Sequence, residues 1–310
     1  MTWPYKDLIA IADLKREEIA TILEMASSFK EISKRDIKKV PTLRGKTVVL
    51  LFYEPSTRTR LSFELAAKRL SADTTALSAS GSSFSKGETI MDAAYNVMAM
   101  APDCIVIRYP YAGIPRKMAQ LLPCSVINAG DGYHEHPTQA LLDMFTMKER
   151  FGNLEGLKVA IVGDIMHSRV ARSNVYGLRK MGAQVVLVAP RTLIPPGVDT
   201  WGVDVATELD PVIPDCDVIM MLRVQKERLS RQFFSGEREY SFFYGLNRSR
   251  VEKMKPDAVI MHPGPMNRGV EITCDAADSA RSMILDQVEN GVAIRMTLLY
   301  LSLGGSVNVD

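Results

Sequence analysis

The sequence predicts an α/β protein of two domains, each built on a mostly parallel sheet with helices on both faces. Three observations lead there. The chain has 310 residues, room for two domains of about 100 to 200 residues, each able to bury its own core. Short apolar runs such as Val48-Val-Leu-Leu-Phe52 recur between segments with helical spacing of apolar residues, and strands that alternate with helices imply parallel sheets. The alternation breaks once, at the turn-like Phe151-Gly-Asn-Leu-Glu-Gly156, and then resumes. The two halves therefore share one architecture without a tandem repeat of about 20 to 50 residues.

Taken in order, Asp13 suits an N-cap, Glu17 and Glu18 suit the positive end of a helix dipole, and Ile19, Ile22, Leu23, Ala26, Phe29 and Ile32 make one apolar stripe. A first, surface-packed helix is predicted there. Residues 46–52 read as a buried strand, and 61–70 as a helix with Leu61, Leu65 and Leu70 on one side. The serine- and glycine-rich segment 78–87 reads as a loop, followed by a helix over 88–100 and short buried strands over 104–108 and 125–129. A helix over 140–150 leads into the turn. Beyond it the pattern gives a strand at 158–162, a helix at 170–181, and strands at 184–189, 217–222 and 258–261. A largely apolar helix over 288–303 ends at Gly304-Gly305.

Composition narrows the function. A content of 46% hydrophobic and 24% charged residues is ordinary for a globular protein, and no tract carries the bias of a disordered segment. The 38 basic residues barely exceed the 36 acidic ones, for a net charge of +2 and a pI of about 8.3. That lacks the basic excess of a nucleic-acid binder, so any positive site is local. Cys104, Cys124, Cys216 and Cys274 stand far apart, with no C-x-x-C and no histidine at zinc spacing. They read as reduced core thiols, and neither a metal nor an organic cofactor is indicated. Met1-Thr-Trp-Pro-Tyr-Lys6 lacks the layout of a secretory signal, and no run approaches the roughly 18 apolar residues of a membrane span. A cytoplasmic protein that binds neither nucleic acid nor membrane is expected.

The chemistry concentrates at Phe52-Tyr-Glu-Pro-Ser-Thr-Arg-Thr-Arg60, where three hydroxyls and two guanidiniums occupy five consecutive positions after a strand. Pro55 ends the strand and Ser56 is placed to cap the next helix. The amides of Thr57, Arg58 and Thr59 then become first-turn donors without partners inside the helix. Those amides, the helix dipole and the planar fork of Arg58 all favour a phosphate. A lone Ser-Thr-Arg is also what a capped helix with solvated arginines looks like; the full run favours the anion. No G-x-x-x-x-G-K-[ST] is present, and Val162-Gly-Asp-Ile-Met-His-Ser168 has one glycine where a dinucleotide fingerprint has three. Arg223-Val-Gln-Lys-Glu-Arg228 follows an apolar strand and reads either as a solvated helix start or as a ligand site at a strand's carboxyl end.

Ser56-Thr-Arg-Thr-Arg60 with Leu61-Ser-Phe-Glu64 resembles the carbamoyl-phosphate motif of the transcarbamoylase family, and His136-Pro-Thr-Gln139 resembles its second signature. Lys86-Gly-Glu88 is similar to the mobile loop of the family's aspartate-using branch, and Arg223-Val-Gln-Lys-Glu-Arg228 to its aspartate-binding run. His262-Pro-Gly-Pro265 is similar to its later substrate loop, with Gly264 in place of a leucine. The cysteine-containing loop and Ser-Met-Gly segment of the ornithine-using branch are missing. The resemblance spans nearly the whole chain. It implies transfer of a carbamoyl group from carbamoyl phosphate to L-aspartate, giving N-carbamoyl-L-aspartate and phosphate in pyrimidine synthesis. It also implies a carbamoyl-phosphate domain over 1–139, with a C-terminal helix in 286–310 packing back on it, and an aspartate domain over 140–285.

By the same resemblance Ser56, Thr57, Arg58, Thr59 and Arg108 hold the phosphate, and Ser82 and Lys86 close over it from an adjacent chain. His136 and Thr59 donate to the carbonyl oxygen, Gln139 binds the carbamoyl amide, and Gly264 and Pro265 contribute backbone. Lys86, Arg169, Arg223 and Gln225 receive aspartate, whose two carboxylates suit planar donors better than ornithine's ammonium does. The catalytic set is then Arg58, Thr59, Lys86, Arg108 and His136. A homotrimer with shared sites follows from Lys86, and a regulatory or dihydroorotase-like partner chain is left open. Retention of Arg58, Lys86, Arg108 and His136 favours an active enzyme over a silent scaffold subunit.

Overall fold

The computed structural model describes residues 3–78, 89–224 and 236–304. The chain divides into two compact units, Met1–Phe145 with Val288–Asp310, and Thr146–Gln287. In chain order the first carries α1 (Arg16–Lys34), β1 (Thr47–Phe52), α2 (Thr57–Arg69), β2 (Asp73–Ser78), α3 (Ile90–Met98), β3 (Cys104–Tyr109), α4 (Ile114–Leu121), β4 (Ser125–Asp131) and most of α5 (Pro137–Phe151). The second carries β5 (Lys158–Val162), α6 (Arg169–Lys180), β6 (Gln184–Val188), β7 (Asp204–Ala206), β8 (Val218–Met221), α7 (Glu237–Tyr244), α8 (Arg248–Glu252), β9 (Val259–Met261) and α9 (Cys274–Ala277). Helix α10 (Ile284–Ser302) begins in the second unit and continues in the first.

Among the described residues each unit has one sheet, ordered β2-β1-β3-β4 and β7-β6-β5-β8-β9, and the pairings between these strands are parallel. The two sheets differ from an alternating pattern for one reason: residues 48–52, 104–107 and 218–221 are buried without a break, as strands covered on both faces require. In the first unit Val49, Leu51, Ile105, Ile107 and Val126 pack against Ile90, Ala94 and Val97 of α3 and Met118 of α4. In the second, Ala160, Val162, Ile219, Met221 and Ile260 pack with Leu246, Met254 and Ala276.

Several sequence-based expectations are corrected here. Asp13 is not the cap of α1. It closes a 3-10 turn, Ile11–Asp13, and pairs with Arg116 at 2.7 Å, while α1 starts at Arg16 with the Lys15 amide donating to Glu18 at 2.6 Å. Leu61 and Leu65 do not line the inner face of α2; both are exposed, and Thr59, Ser62, Phe63, Ala66 and Ala67 are buried in their place. The helix also begins at Thr57, four residues earlier than expected. Cys104, Cys124 and Cys216 are buried thiols, but Cys274 opens the short α9 and is exposed.

One ion pair gives the second unit an acid-sensitive brace. Buried Arg250 donates Nη2 to Asp210 Oδ2 at 2.7 Å and bonds the Gly245 and Phe243 carbonyls, and Lys253 adds a bond to Asp210 Oδ1 at 3.1 Å. The Arg250 bond, helped by Lys253, holds the Asp210 carboxyl at about 2, below its ordinary 3.8. Because the folded value lies below the unfolded one, this contribution is complete above pH 3.8 and is lost as pH falls towards about 2. Asp210 is half exposed, so the Asp210→Asn variant should lose only about 1 kcal/mol at neutral pH. Denaturant unfolding at pH 7 and pH 2.5 should show that difference shrinking in acid.

Candidate active site

In the first sheet β2 lies on one side of β1 and β3 on the other. The connections that leave β1 and β3 therefore diverge, and open parallel sheets take ligands at such a switch point, outside the carboxyl ends of the strands. Ser56 to Thr59 run from β1 into the first turn of α2, and Arg108 lies beside Phe52 in register. Ser56 is the N-cap residue, with extended backbone (φ −159°, ψ 94°), yet its hydroxyl makes no capping bond. The first intrahelical bond of α2 runs from the Arg60 amide to the Ser56 carbonyl at 3.1 Å, so the amides of 57–59 precede the ladder and suit an oxyanion. Thr59 is buried and Arg58 exposed. Arg108 donates Nη2 to Glu54 Oε1 at 2.5 Å and Nη1 to the Ala129 carbonyl at 3.4 Å. Its guanidinium is thereby tied to the segment after β1 and to the end of β4.

His136 and Gln139 follow β4, at the start of α5, and both are buried. The turn that delivers them is braced from outside. Asp131 Oδ1 accepts from Asn128 Nδ2 and from the Glu135 amide, each at 3.0 Å, and its Oδ2 accepts from the Gly113 amide at 2.9 Å. Burial works against the Asp131 charge, but the bonds from His134, Gly113 and Asn128 outweigh it and hold the carboxyl below its ordinary value. Glu135, fully buried, accepts the Ile11 amide at 2.9 Å and the Ala12 amide at 3.2 Å. Gly132, with φ +52°, lets this turn touch its neighbour, since a Cβ there would lie 2.9 Å from the Ala112 nitrogen.

The second sheet has its own switch point, with β6 on one side of β5 and β8 on the other. Gly163, straight after β5, sits at φ +129°, and a Cβ there would lie 3.0 Å from both the Leu222 carbonyl and the Tyr240 hydroxyl. Only glycine lets these two strand ends approach so closely. Arg169, buried, opens α6 behind Ser168, whose hydroxyl accepts from the Ala171 amide at 3.1 Å. Arg223 follows β8 and is half-buried. Next to Arg169, His167 Nδ1 lies 2.8 Å from Oδ1 of the fully buried Asp164. Burial, then the nearby Glu271 and Asp164 charges, push the Tyr240 phenol far up.

Beyond β9 a buried network holds the turn at Gly264-Pro265. The Gly264 amide donates to His262 Nδ1 at 2.8 Å. Nδ1 is thus an acceptor, which puts the ring hydrogen on Nε2, where it faces Glu271 Oε1 at 3.2 Å. The same carboxylate oxygen accepts the Asn267 amide at 2.5 Å, and Asn267 Nδ2 donates to the Val224 carbonyl at 3.2 Å. One network therefore fixes both the 264–265 turn and the backbone next to Arg223. Ser82, Lys86 and Gln225 lie outside the described residues.

Comparison with known proteins decides the family. A model of the aspartate/ornithine carbamoyltransferase carbamoyl-phosphate-binding domain matches residues 6–149, and one of the aspartate/ornithine-binding domain matches 155–302. The chain belongs to the aspartate/ornithine carbamoyltransferase family. The aspartate carbamoyltransferase catalytic subunit of Geotalea daltonii is 58% identical over 311 residues, with 100% of both chains covered. Among solved structures, ornithine carbamoyltransferase from Pyrococcus furiosus superposes with a TM-score of 0.87 at 32% identity, covering 99% of each chain. Aspartate transcarbamoylase from Trypanosoma cruzi in complex with carbamoyl phosphate and aspartate gives a TM-score of 0.86 at 26% identity, covering 97% of each chain.

The carbamoyltransferase fold thus serves two amino acids, and shape alone does not choose between them. In the family's domain scheme the β1/β3 switch point falls within the carbamoyl-phosphate-binding match, and Arg169, Arg223 and the 262–265 turn fall within the aspartate/ornithine-binding match. Sequence reasoning missed the side chains that brace these candidate residues. Asp131, Glu135 and Glu271 lie in stretches to which the sequence assigned no strand or helix; Glu135 is bonded by the remote Ile11 and Ala12 amides, Asp131 by Asn128, Glu135 and Gly113, and Glu271 by His262 and Asn267. The acid between two histidines in His134-Glu-His136 was the available signal, since carboxylates are fully buried only when bonded.

Proposed function

We propose that the chain is an aspartate carbamoyltransferase, which moves the carbamoyl group of carbamoyl phosphate to L-aspartate and yields N-carbamoyl-L-aspartate and phosphate for pyrimidine synthesis. The observation that carries this reading is the 58% identity, over the whole chain, with a protein of that name. The chemistry of the two switch points supports it. Ser56, Thr57, Arg58, Thr59 and Arg108 bind the phosphate with amides, hydroxyls and two guanidiniums. Thr59 and His136 donate to the carbonyl oxygen as negative charge grows there, and Gln139 binds the carbamoyl amide. Arg169, Arg223 and Gln225 take the carboxylates of aspartate in bidentate fashion, and the backbone at Gly264 and Pro265 lines the donor.

The neutral amine of aspartate attacks the carbamoyl carbon, the carbon–oxygen bond to phosphate breaks, and the leaving phosphate accepts the amine proton. No protein nucleophile is needed; positioning and charge neutralisation supply the acceleration. The enzyme acts in the cytoplasm as a homotrimer, in which Ser82 and Lys86 of one chain complete the site of the next. Among the described residues no helix is long and apolar enough to cross a membrane, in keeping with that location.

Incubating the purified chain with carbamoyl phosphate and either L-aspartate or L-ornithine tests the reaction. Carbamoylated product from aspartate alone is expected; product from ornithine alone would overturn the choice of acceptor. For the shared site, Lys86→Ala should lower kcat about a hundredfold or more at unchanged stability. Trimers refolded from mixed Lys86→Ala and Arg58→Ala chains should regain activity, because some sites then combine an intact Arg58 with an intact Lys86. Near-normal kinetics of Lys86→Ala, or mixtures as inactive as the parents, would exclude sharing.

A further inference from the structure

Gln139 and Asp143 stand one turn apart on α5, both buried, and Gln139 Nε2 donates to Asp143 Oδ1 at 2.9 Å. A carboxylate only accepts, and a carboxamide has one donor end and one acceptor end. Committing Nε2 to Asp143 therefore leaves Oε1 as the end directed away from it, and Oε1 makes no hydrogen bond among the described residues.

Behind this pair lies the buried Arg295 of α10. Its Nη1 donates to Ser62 Oγ at 2.9 Å and to the Gly291 carbonyl at 3.1 Å, Nη2 reaches Thr138 Oγ1 at 3.5 Å, and the guanidinium lies 5.1 Å over the Phe63 ring. Ser62 and Phe63 belong to the first substrate motif and Thr138 to the second. Gly291 keeps space for the guanidinium, since a Cβ there would lie 2.5 Å from Nη1. Burial pushes the Arg295 group down to about 10, and the charge of Asp143 acts against that loss. A cation buried this deeply needs an opposite charge.

From this arrangement we propose that Asp143 is a positioning residue that fixes the Gln139 carboxamide with its oxygen towards the carbamoyl amine. The donor's NH₂ then meets an acceptor, and the site distinguishes carbamoyl phosphate from an acyl phosphate with a methyl group in that place. A flipped carboxamide would set NH₂ against NH₂. The inference rests on the function proposed above, in which Gln139 binds the carbamoyl group.

The test compares the KM for carbamoyl phosphate with the inhibition constant of acetyl phosphate. In Asp143→Asn the new carboxamide offers a donor as readily as an acceptor, so Gln139 loses its fixed orientation. KM should rise about tenfold, the worth of one hydrogen bond, while acetyl phosphate binds within about twofold of wild type. In a Gln139→Ala background, adding Asp143→Asn should change neither constant further. Parallel weakening of both ligands, or a further loss in that background, would overturn the positioning role. A wild-type chain that transfers no carbamoyl group would overturn the parent reading instead. Should Asp143→Asn not fold, wild-type protein labelled with 15N-glutamine serves. Slow solvent exchange of the Gln139 side-chain NH₂, assigned by its loss in Gln139→Met, is expected, and exchange as fast as in free glutamine would refute the Asp143 bond.

Discussion

Replacing Arg58 with alanine is expected to lower carbamoyl transfer about a thousandfold while leaving the unfolding midpoint in place. The two halves of that expectation have different origins. Arg58 is exposed in the first turn of α2, so truncating it opens no cavity, and exposed substitutions of this kind shift stability by only about 0.5 kcal/mol. The catalytic half follows from charge. As the carbon–oxygen bond breaks, the leaving phosphate gains negative charge, and a guanidinium fork beside the first-turn amides of a helix is stronger in that state than in the ground state. Removing one such preorganised donor costs roughly a hundred- to a thousandfold in turnover. Steady-state kinetics and denaturant unfolding on the same preparation check both halves. Arg58→Lys should recover only part of the loss, because an ammonium supplies the charge without the fork. A variant that loses stability and activity together would make Arg58 a structural residue.

The strands beside the candidate site were legible because each is a short apolar run, and Ser56-Thr-Arg-Thr-Arg60 and Arg223 stood out because they come soon after such runs. β1, β3, β5 and β8 all fell within the predicted ranges to a residue or two. The missed elements lack that signal for physical reasons. β2 (Asp73–Ser78) and β7 (Asp204–Ala206) are edge strands, with Leu77 and Val205 exposed, and an edge strand with a wet face has no apolar run to show. α4 buries only Pro115 and Met118, too little to set a period. The bracing residues were hidden by distance along the chain. Glu135 meets a backbone amide 124 residues away, and Arg295 meets Ser62 at a separation of 233. A single sequence shows that a charge is present but not which remote segment will enclose it.

Arg223→Ala should reduce kcat/KM for aspartate about a thousandfold while carbamoyl phosphate binding stays within about threefold. That asymmetry follows from the separate sheets. Arg223 follows β8, whereas of the residues proposed to hold the phosphate Ser56 to Thr59 follow β1 and Arg108 lies in β3, so its loss should leave the donor's contacts untouched. Arg169, across the β5/β8 switch point, is buried, and in the proposed function it supplies a second cation. Two guanidiniums match two carboxylates, and a charge-assisted bidentate pair lost from a desolvated site costs about 2 to 5 kcal/mol, of which a thousandfold is about 4. Ornithine should not take over in the variant. Its distal ammonium would still face Arg169, and nothing in the substitution adds an acceptor for it. Arg223→Lys separates charge from shape: it keeps the cation and loses the fork, so an intermediate loss with aspartate supports bidentate recognition. Full activity of the lysine variant would reduce Arg223 to a point charge, and equal losses for aspartate and carbamoyl phosphate would move it out of the acceptor site altogether. Because Asn267 holds the Val224 carbonyl beside it, Asn267→Ala should give a smaller loss of the same kind, confined to aspartate.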